Sequence, residues 1–185
     1  MEKIPQQSNF AGLRVVLYGP ESTGKSTLAA QLSAHYSAPQ VAEFARGYLQ
    51  EKFDVNGHLC AYEDILPIAI GQRKAENQAL SMAGDLLICD TDILETYVYC
   101  DYYFEAVPQE LQRAVTAAHY DLYLLMDIDT AWAPDDLRDR PRDRKQLFDR
   151  FEEALEKFNH SYMLINELGH QRFLNAVAAI DKLRA

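Results

Sequence analysis

The run Gly19-Pro20-Glu21-Ser22-Thr23-Gly24-Lys25-Ser26 has the residue types and spacing of a Walker A phosphate-binding loop. Gly19 and Gly24 permit backbone angles that a Cβ would forbid. The loop amides then converge on a β-phosphate, with the positive end of the following helix behind them. Lys25 supplies a point charge for the β- and γ-phosphates, and Ser26 offers a hydroxyl to Mg²⁺. Asp90 adds to this chemistry. It follows the apolar residues Leu86-Leu87-Ile88-Cys89, as a Walker B carboxylate does when it holds Mg²⁺ directly or through water.

These residues need elements to position them. The strand-like run Leu13–Tyr18 enters the loop and an amphipathic stretch from Lys25 leaves it, which is the strand–loop–helix context the motif requires. Further short apolar runs lie at Gln40–Phe44, Leu86–Asp90, Leu122–Ile128 and Tyr162–Ile165. Helical patterns separate them, near 25–36, 62–83, 93–104, 108–119, 146–158 and 170–183. In the 146–158 pattern, Leu147, Phe148, Phe151, Leu155 and Phe158 share one face. Pro108 suits a helix first turn, and Pro67 must open the 62–83 helix or kink it. Strands alternating with helices predict a three-layer α/β fold with a five-stranded parallel sheet. By analogy with P-loop kinases the strand order is 2-3-1-4-5.

Such a sheet gathers its active site at the carboxyl ends of its strands. Three clusters fall there: Glu43-Phe44-Ala45-Arg46 after the second strand, Asp90-Thr91-Asp92 ending the third, and Asp135–Arg150 after the fourth, with Trp132 just before it. Asp92 is placed to reach an acceptor sugar. The segment 135–150 holds six basic and five acidic residues, and five of the six are Arg. Its bland reading is a solvated charged loop. Its sharper reading is a lid whose arginines meet phosphate bidentately. Phosphoryl transfer to a hydroxyl needs positioning, charge neutralisation and a carboxylate for the acceptor's proton. Lys25, Mg²⁺, Glu43 or an Asp of the Asp90/Asp92 pair, and lid arginines supply these. A guanine-reading Asn-Lys-x-Asp sequence does not occur.

The 185 residues form one domain, 13–185, behind a polar tail, 1–12, and 48% of them are apolar. A formal charge of −10 argues against a general nucleic-acid binder and against an anionic membrane surface. Cys60, Cys89 and Cys100 have no metal-ligand spacing and read as thiols of a reducing compartment. With no secretory h-region at the start and no apolar run of spanning length, the expectation is a soluble, cytoplasmic protein.

Taken together these residues resemble the ribosylnicotinamide kinase domain of the NadR-type NAD-salvage proteins. The resemblance spans about residues 12 to 183. It rests on GPESTGKST at 19–27, EFARGYL at 43–49, CDTD at 89–92, YDLYLLMDIDTAW at 120–132, DDLR at 135–138 and DRK at 143–145. It implies ATP-dependent phosphorylation of the 5′-hydroxyl of nicotinamide riboside to the mononucleotide. Carried over position by position, Gly19, Glu21, Ser22, Thr23, Gly24, Lys25, Ser26 and Thr27 bind ATP, with Mg²⁺ at Ser26 and Asp90. Glu43, Arg46, Asp90 and Asp92 line the acceptor site, and Arg138 and Arg144 act from the lid. Where the family often carries Pro-Trp and Asp-Gly at the opening of the lid, this chain has Ala131-Trp132 and Asp135-Asp136. No His-x-Gly-His of an adenylyltransferase occurs, and twelve residues precede the first strand. The expectation is therefore a chain that neither makes NAD from the mononucleotide nor represses genes.

Trp132, Phe44, Tyr48, Tyr97 and the Tyr102-Tyr103-Phe104 run are the aromatics available to a cationic nicotinamide ring, and core packing is the competing role of each. Fold analogy puts adenine near Asn166–Arg172. Two other functions fit parts of the sequence. One is another small-molecule kinase of this fold, for a deoxynucleoside or a nucleoside monophosphate; the latter needs a second phosphate clamp, for which Arg46 is the obvious early Arg. The other is a non-catalytic ATP-binding sensor, which need not keep Lys25, Ser26, Asp90 and lid arginines together.

Overall fold

The computed structural model describes residues 2–137 and 142–185. Five strands form one parallel sheet in the order β2-β3-β1-β4-β5: β1 (Leu13–Tyr18), β2 (Gln40–Val41), β3 (Leu86–Asp90), β4 (Leu122–Met126) and β5 (Tyr162–Ile165). This is the fold class and strand order expected from the sequence. Alternation along the strands feeds two separate cores. Val15 and Leu17 of β1 face α1 (Lys25–Tyr36) and α7 (Gly169–Arg184), where Leu28, Leu32 and Ile180 are buried. Val16 and Tyr18 face the opposite side. There they meet α3 (Ile65–Ala79), α4 (Ile93–Phe104), α5 (Gln109–Thr116) and α6 (Arg144–Lys157). Leu147, Phe151 and Leu155 of α6 are fully buried on this side, with Phe148 and Phe158 packed against them, as the shared helix face required.

Two strands are shorter than the apolar runs that announced them. The run 40–44 keeps strand geometry only to Val41, and Phe44 opens a helix that the periodicity did not reveal, α2 (Phe44–Asn56). No residue of α2 is fully buried, so it carries no apolar stripe for a pattern search to find. The run 122–128 ends as strand at Met126. The 62–83 pattern divides into a 3-10 turn at Tyr62–Asp64, α3 itself, and a second 3-10 turn at Leu80–Met82. Pro67 lies in the first turn of α3, where its missing N–H removes no helix bond. Pro108 sits just ahead of α5, and its carbonyl accepts from the amide of Gln112 at 3.1 Å.

Residues 2–12 contain no helix or strand, yet they are strapped to the domain. Gln7 Nε2 donates to Glu76 Oε1 (2.7 Å) and to the carbonyl of His119 (3.1 Å), and Gln7 Oε1 accepts from the His119 amide (2.7 Å). Asn77 pairs with the backbone of Gln6 and Ser8. Among the described residues, no helix is long and apolar enough to cross a membrane.

Candidate active site

The phosphate loop runs from the end of β1 to the start of α1. Gly19 has φ +135°, and a Cβ there would come within 3.1 Å of the Met126 carbonyl. Gly24 has φ +84° and caps α1, so both glycines occupy backbone that favours glycine. The first amides of α1 face outward with no intrahelical acceptor, as helix geometry dictates. Thr23 Oγ1 fixes the loop by donating to the Pro20 carbonyl at 2.8 Å. Lys25 folds back over it: Nζ donates to the carbonyls of Gly19 (2.6 Å) and Pro20 (3.0 Å) and lies 3.4 Å from Glu95 Oε1.

Asp90 ends β3 beside this loop. Its carboxylate takes a hydrogen bond from Ser26, and burial raises its pKa against the opposing pull of that bond and of Lys25. Asp90 Oδ1 is buried with no hydrogen-bond partner. A hydroxyl beside a carboxylate with an orphaned oxygen is a donor set that suits Mg²⁺, which fills its remaining positions with phosphate oxygens and water. Among the described residues no group of three or more His, Cys, Asp or Glu could hold a metal ion by itself.

Asp92 goes elsewhere. Strand alternation would place Asp90 and Asp92 on one side, but Thr91 between them has φ +70° and turns the chain. Asp92 then caps α4, accepting from the Glu95 amide at 3.3 Å, while its other oxygen accepts from Tyr123 Oη at 2.7 Å. Burial pushes its carboxyl up to about 6. It is 2% exposed and does not line the cleft described next.

A cleft of about 400 Å³ opens from the phosphate loop, within the size range of small-molecule sites. One end is residues 21–27. The walls come from Glu43 and α2 (Ala45, Arg46, Leu49), α3 (Ile65, Ile68, Gln72) and α4 (Glu95, Thr96, Tyr99, Tyr103, Phe104), together with Leu59, Cys60 and Leu137. Of the aromatics considered from the sequence, Tyr103 and Phe104 line it. Phe44 packs against Gly71 and stacks on Tyr48, Tyr48 Oη donates to Asp64, Tyr97 accepts from Lys157, and Tyr102 donates to Asp143. Trp132 lies over the phosphate loop instead, its Nε1 donating to Glu21 Oε1 at 3.1 Å.

The segment after β4 clamps the loop and the cleft mouth. Thr130 Oγ1 donates to the Ser22 carbonyl (2.7 Å), and the Ala133 amide donates to Ser22 Oγ (2.9 Å). Arg144, the first residue of α6, donates to the carbonyls of Thr130 (2.7 Å) and Ser22 (3.3 Å). Arg46 Nη1 pairs with Asp135 Oδ2 at 2.9 Å across the mouth. Residues 144–150 of the segment read as a lid are the start of α6, with Leu147 fully buried. Arg138 lies outside the described residues.

Sequence reasoning passed over three side chains that the site uses. Glu95 and Tyr99 are on one face of α4 with Tyr103, a spacing of four residues that could have marked them. Tyr99 Oη accepts from the Glu21 amide at 3.0 Å. Arg172, in the stretch given to adenine, is 6% exposed and braces the loop: it donates to the Thr23 carbonyl (2.6 Å) and the Glu167 carbonyl (2.6 Å) and pairs with Asp129.

A family model described as an AAA domain matches residues 14–172. The chain belongs to the AAA domain family. Within this family of P-loop proteins it resembles NadR. It is 27% identical to the trifunctional NAD biosynthesis/regulator protein NadR of Escherichia coli (strain K12), over 98% of this chain and 45% of that one. The chain therefore spans about half the length of the curated relatives it matches. The structure of NadR protein in complex with NR superposes with a TM-score of 0.74 at 22% identity, covering 93% of this chain and 51% of the other. Thymidylate kinase from Ehrlichia chaffeensis matches with a TM-score of 0.67 at 16% identity, over 96% of this chain and all of its own. These likenesses establish the P-loop kinase-like fold of this AAA-domain chain.

Proposed function

We propose that this chain transfers the γ-phosphoryl group of ATP to the 5′-hydroxyl of nicotinamide riboside, giving nicotinamide mononucleotide. One observation carries the reading: residues 21–27 of the phosphate loop, including Lys25 and the Ser26 that bonds Asp90, line the same cleft as the aromatic and apolar Tyr99, Tyr103, Phe104, Leu49 and Ile68. A donor nucleotide and a nucleoside-sized acceptor then meet inside one cavity. The likeness to NadR, and to the structure of NadR in complex with NR, supports nicotinamide riboside as that acceptor.

In this reading Lys25 leaves the loop carbonyls for the β- and γ-phosphates, and Ser26 and Asp90 would hold Mg²⁺. Mg²⁺, when bound, neutralises charge on the transferring phosphoryl. Glu43, at the start of α2 and on the cleft wall, receives the acceptor proton as the new O–P bond forms and ADP departs with the old bond's electron pair. Arg46 and Asp135 close the mouth over the acceptor, and Arg144, with Arg138, acts on the phosphates. Tyr99, Tyr103 and Phe104 give the ring an aromatic wall; Trp132 works on the donor side, through Glu21.

The test is ADP release across a panel of nicotinamide riboside, thymidine, deoxycytidine and thymidine monophosphate. The riboside is expected to have the highest kcat/KM, because a cleft group that pairs with its second ribose hydroxyl is left unpaired over a deoxyribose. A deoxynucleoside ahead of the riboside would move the chain to a deoxynucleoside kinase, and the monophosphate ahead would give Arg46 the role of a second phosphate clamp.

A further inference from the structure

Glu95 is a buried acid with no part in the reaction outlined above. It is 5% exposed and stands on the cleft wall, one oxygen 3.4 Å from Lys25 Nζ. Its other oxygen, Oε2, is buried with no hydrogen-bond partner. Both members of this ion pair are nearly sealed from water, with side chains 8% and 6% exposed. Such a pair is held by the mutual need of its two charges, and removing either one leaves the other buried alone. A nucleotide removes Lys25 from the pair, because the same ammonium must reach the β- and γ-phosphates.

We propose that Glu95 is the resident counter-ion of the phosphate-binding lysine, and that nucleotide binding displaces it and hands its carboxylate to the acceptor hydroxyl. The exchange rests on the kinase reading for its second half and on the ion pair alone for its first. After Lys25 departs, Glu95 sits among Glu43, Asp90 and Asp92 with Tyr18 and Tyr99 packed nearby, and it has lost the cation that lowers its proton affinity in this structure. That arrangement favours a hydrogen-bond donor arriving from the cleft, and an acceptor hydroxyl is such a donor. Burial and the surrounding carboxylates already hold Glu95 above the usual carboxylate range despite Lys25. The consequence is order: the acceptor site is finished only once the nucleotide is in place, so the nucleotide binds ahead of the acceptor.

The test uses calorimetric titration of the whole chain with Mg²⁺–AMP-PNP and with nicotinamide riboside, each alone and with the other present. In the wild type the riboside should bind about 5-fold or more tighter when AMP-PNP is bound. In Glu95→Gln, AMP-PNP should bind about 5-fold or more tighter than in the wild type, and riboside affinity should no longer respond to it. Nucleotide affinity in Glu95→Gln equal to or below that of the wild type overturns the counter-ion. Undiminished coupling in that variant overturns the handover. If Glu95→Gln does not fold, the wild type decides: riboside affinity indifferent to AMP-PNP overturns the proposal. If the riboside does not bind under any condition, the substrate reading fails, the nucleotide arm still decides the counter-ion, and the coupling is measured with the nucleoside the panel selects.

Discussion

Lys25 is the side chain on which the donor site turns, and it is satisfied without nucleotide, by two carbonyls and one carboxylate. Lys25→Ala should leave a folded protein, judged by circular dichroism, and lower turnover at saturating ATP by about 10²-fold or more, since it removes a preorganised charge from the transferring group. Near-normal turnover would mean that the phosphate site lies elsewhere. Asp92 is the contrasting case. The sequence places it two residues from Asp90, where a regular strand would point both at the acceptor. The left-handed turn at Thr91 sends it into the core as a helix cap. A non-glycine residue at positive φ leaves no mark in composition or periodicity, so this turn was invisible. Asn caps helices as well as Asp does, and its Nδ2 can donate to Tyr123 Oη in place of the bond that Asp92 Oδ2 accepts. Asp92→Asn should therefore keep kcat within about 3-fold, measured by the same ADP-release assay; a loss comparable to that of Lys25→Ala would return Asp92 to the acceptor site.

At the scale of elements, legibility followed burial. Strands β1 and β3, buried along almost their whole length, and α6, with its apolar face, were readable because the core imposes a period on their residues. Helix α2 was not, because it is a wall of the cleft rather than a part of the core, and its side chains face the cleft or pair with Asp64 and Asp135. The connection from β4 to α6 was legible as an arginine-rich segment but not in its anchoring. Arg144 ties Thr130 and Ser22 together from the first turn of α6. A lysine there keeps the charge and loses the planar fork that spans two carbonyls. Arg144→Lys should lower kcat by about 10-fold while weakening riboside affinity less, because the fork completes the site at the moment of transfer. Steady-state kinetics with wild-type kcat would make Arg144 a surface anchor and nothing more.

For the whole molecule, residues 2–12 matter to stability rather than to chemistry. Gln7 alone makes three hydrogen bonds to Glu76 and His119. At about 1 kcal/mol each, their loss in Gln7→Ala should lower Tm on the order of 5–10 °C for a chain of this size, with kcat unchanged. A Tm within about 1 °C of the wild type would mean that the strap is only laid on the surface. The sheet itself divides the labour of the site. Loop-bearing α1 and the Arg172 of α7 are seated in one core, and α3 and α4 of the cleft wall in the other. Substitutions in the second core can reshape the pocket, and they reach the phosphate loop through Tyr99 and Glu95 of α4 and Arg144 of α6, whereas residues distant from one another across the sheet add their effects independently. On the proposed phosphoryl-transfer reading, acceptor choice is the more easily varied property of this architecture: changes on the cleft wall away from those three contacts alter which hydroxyl is reached before they alter how the nucleotide is held.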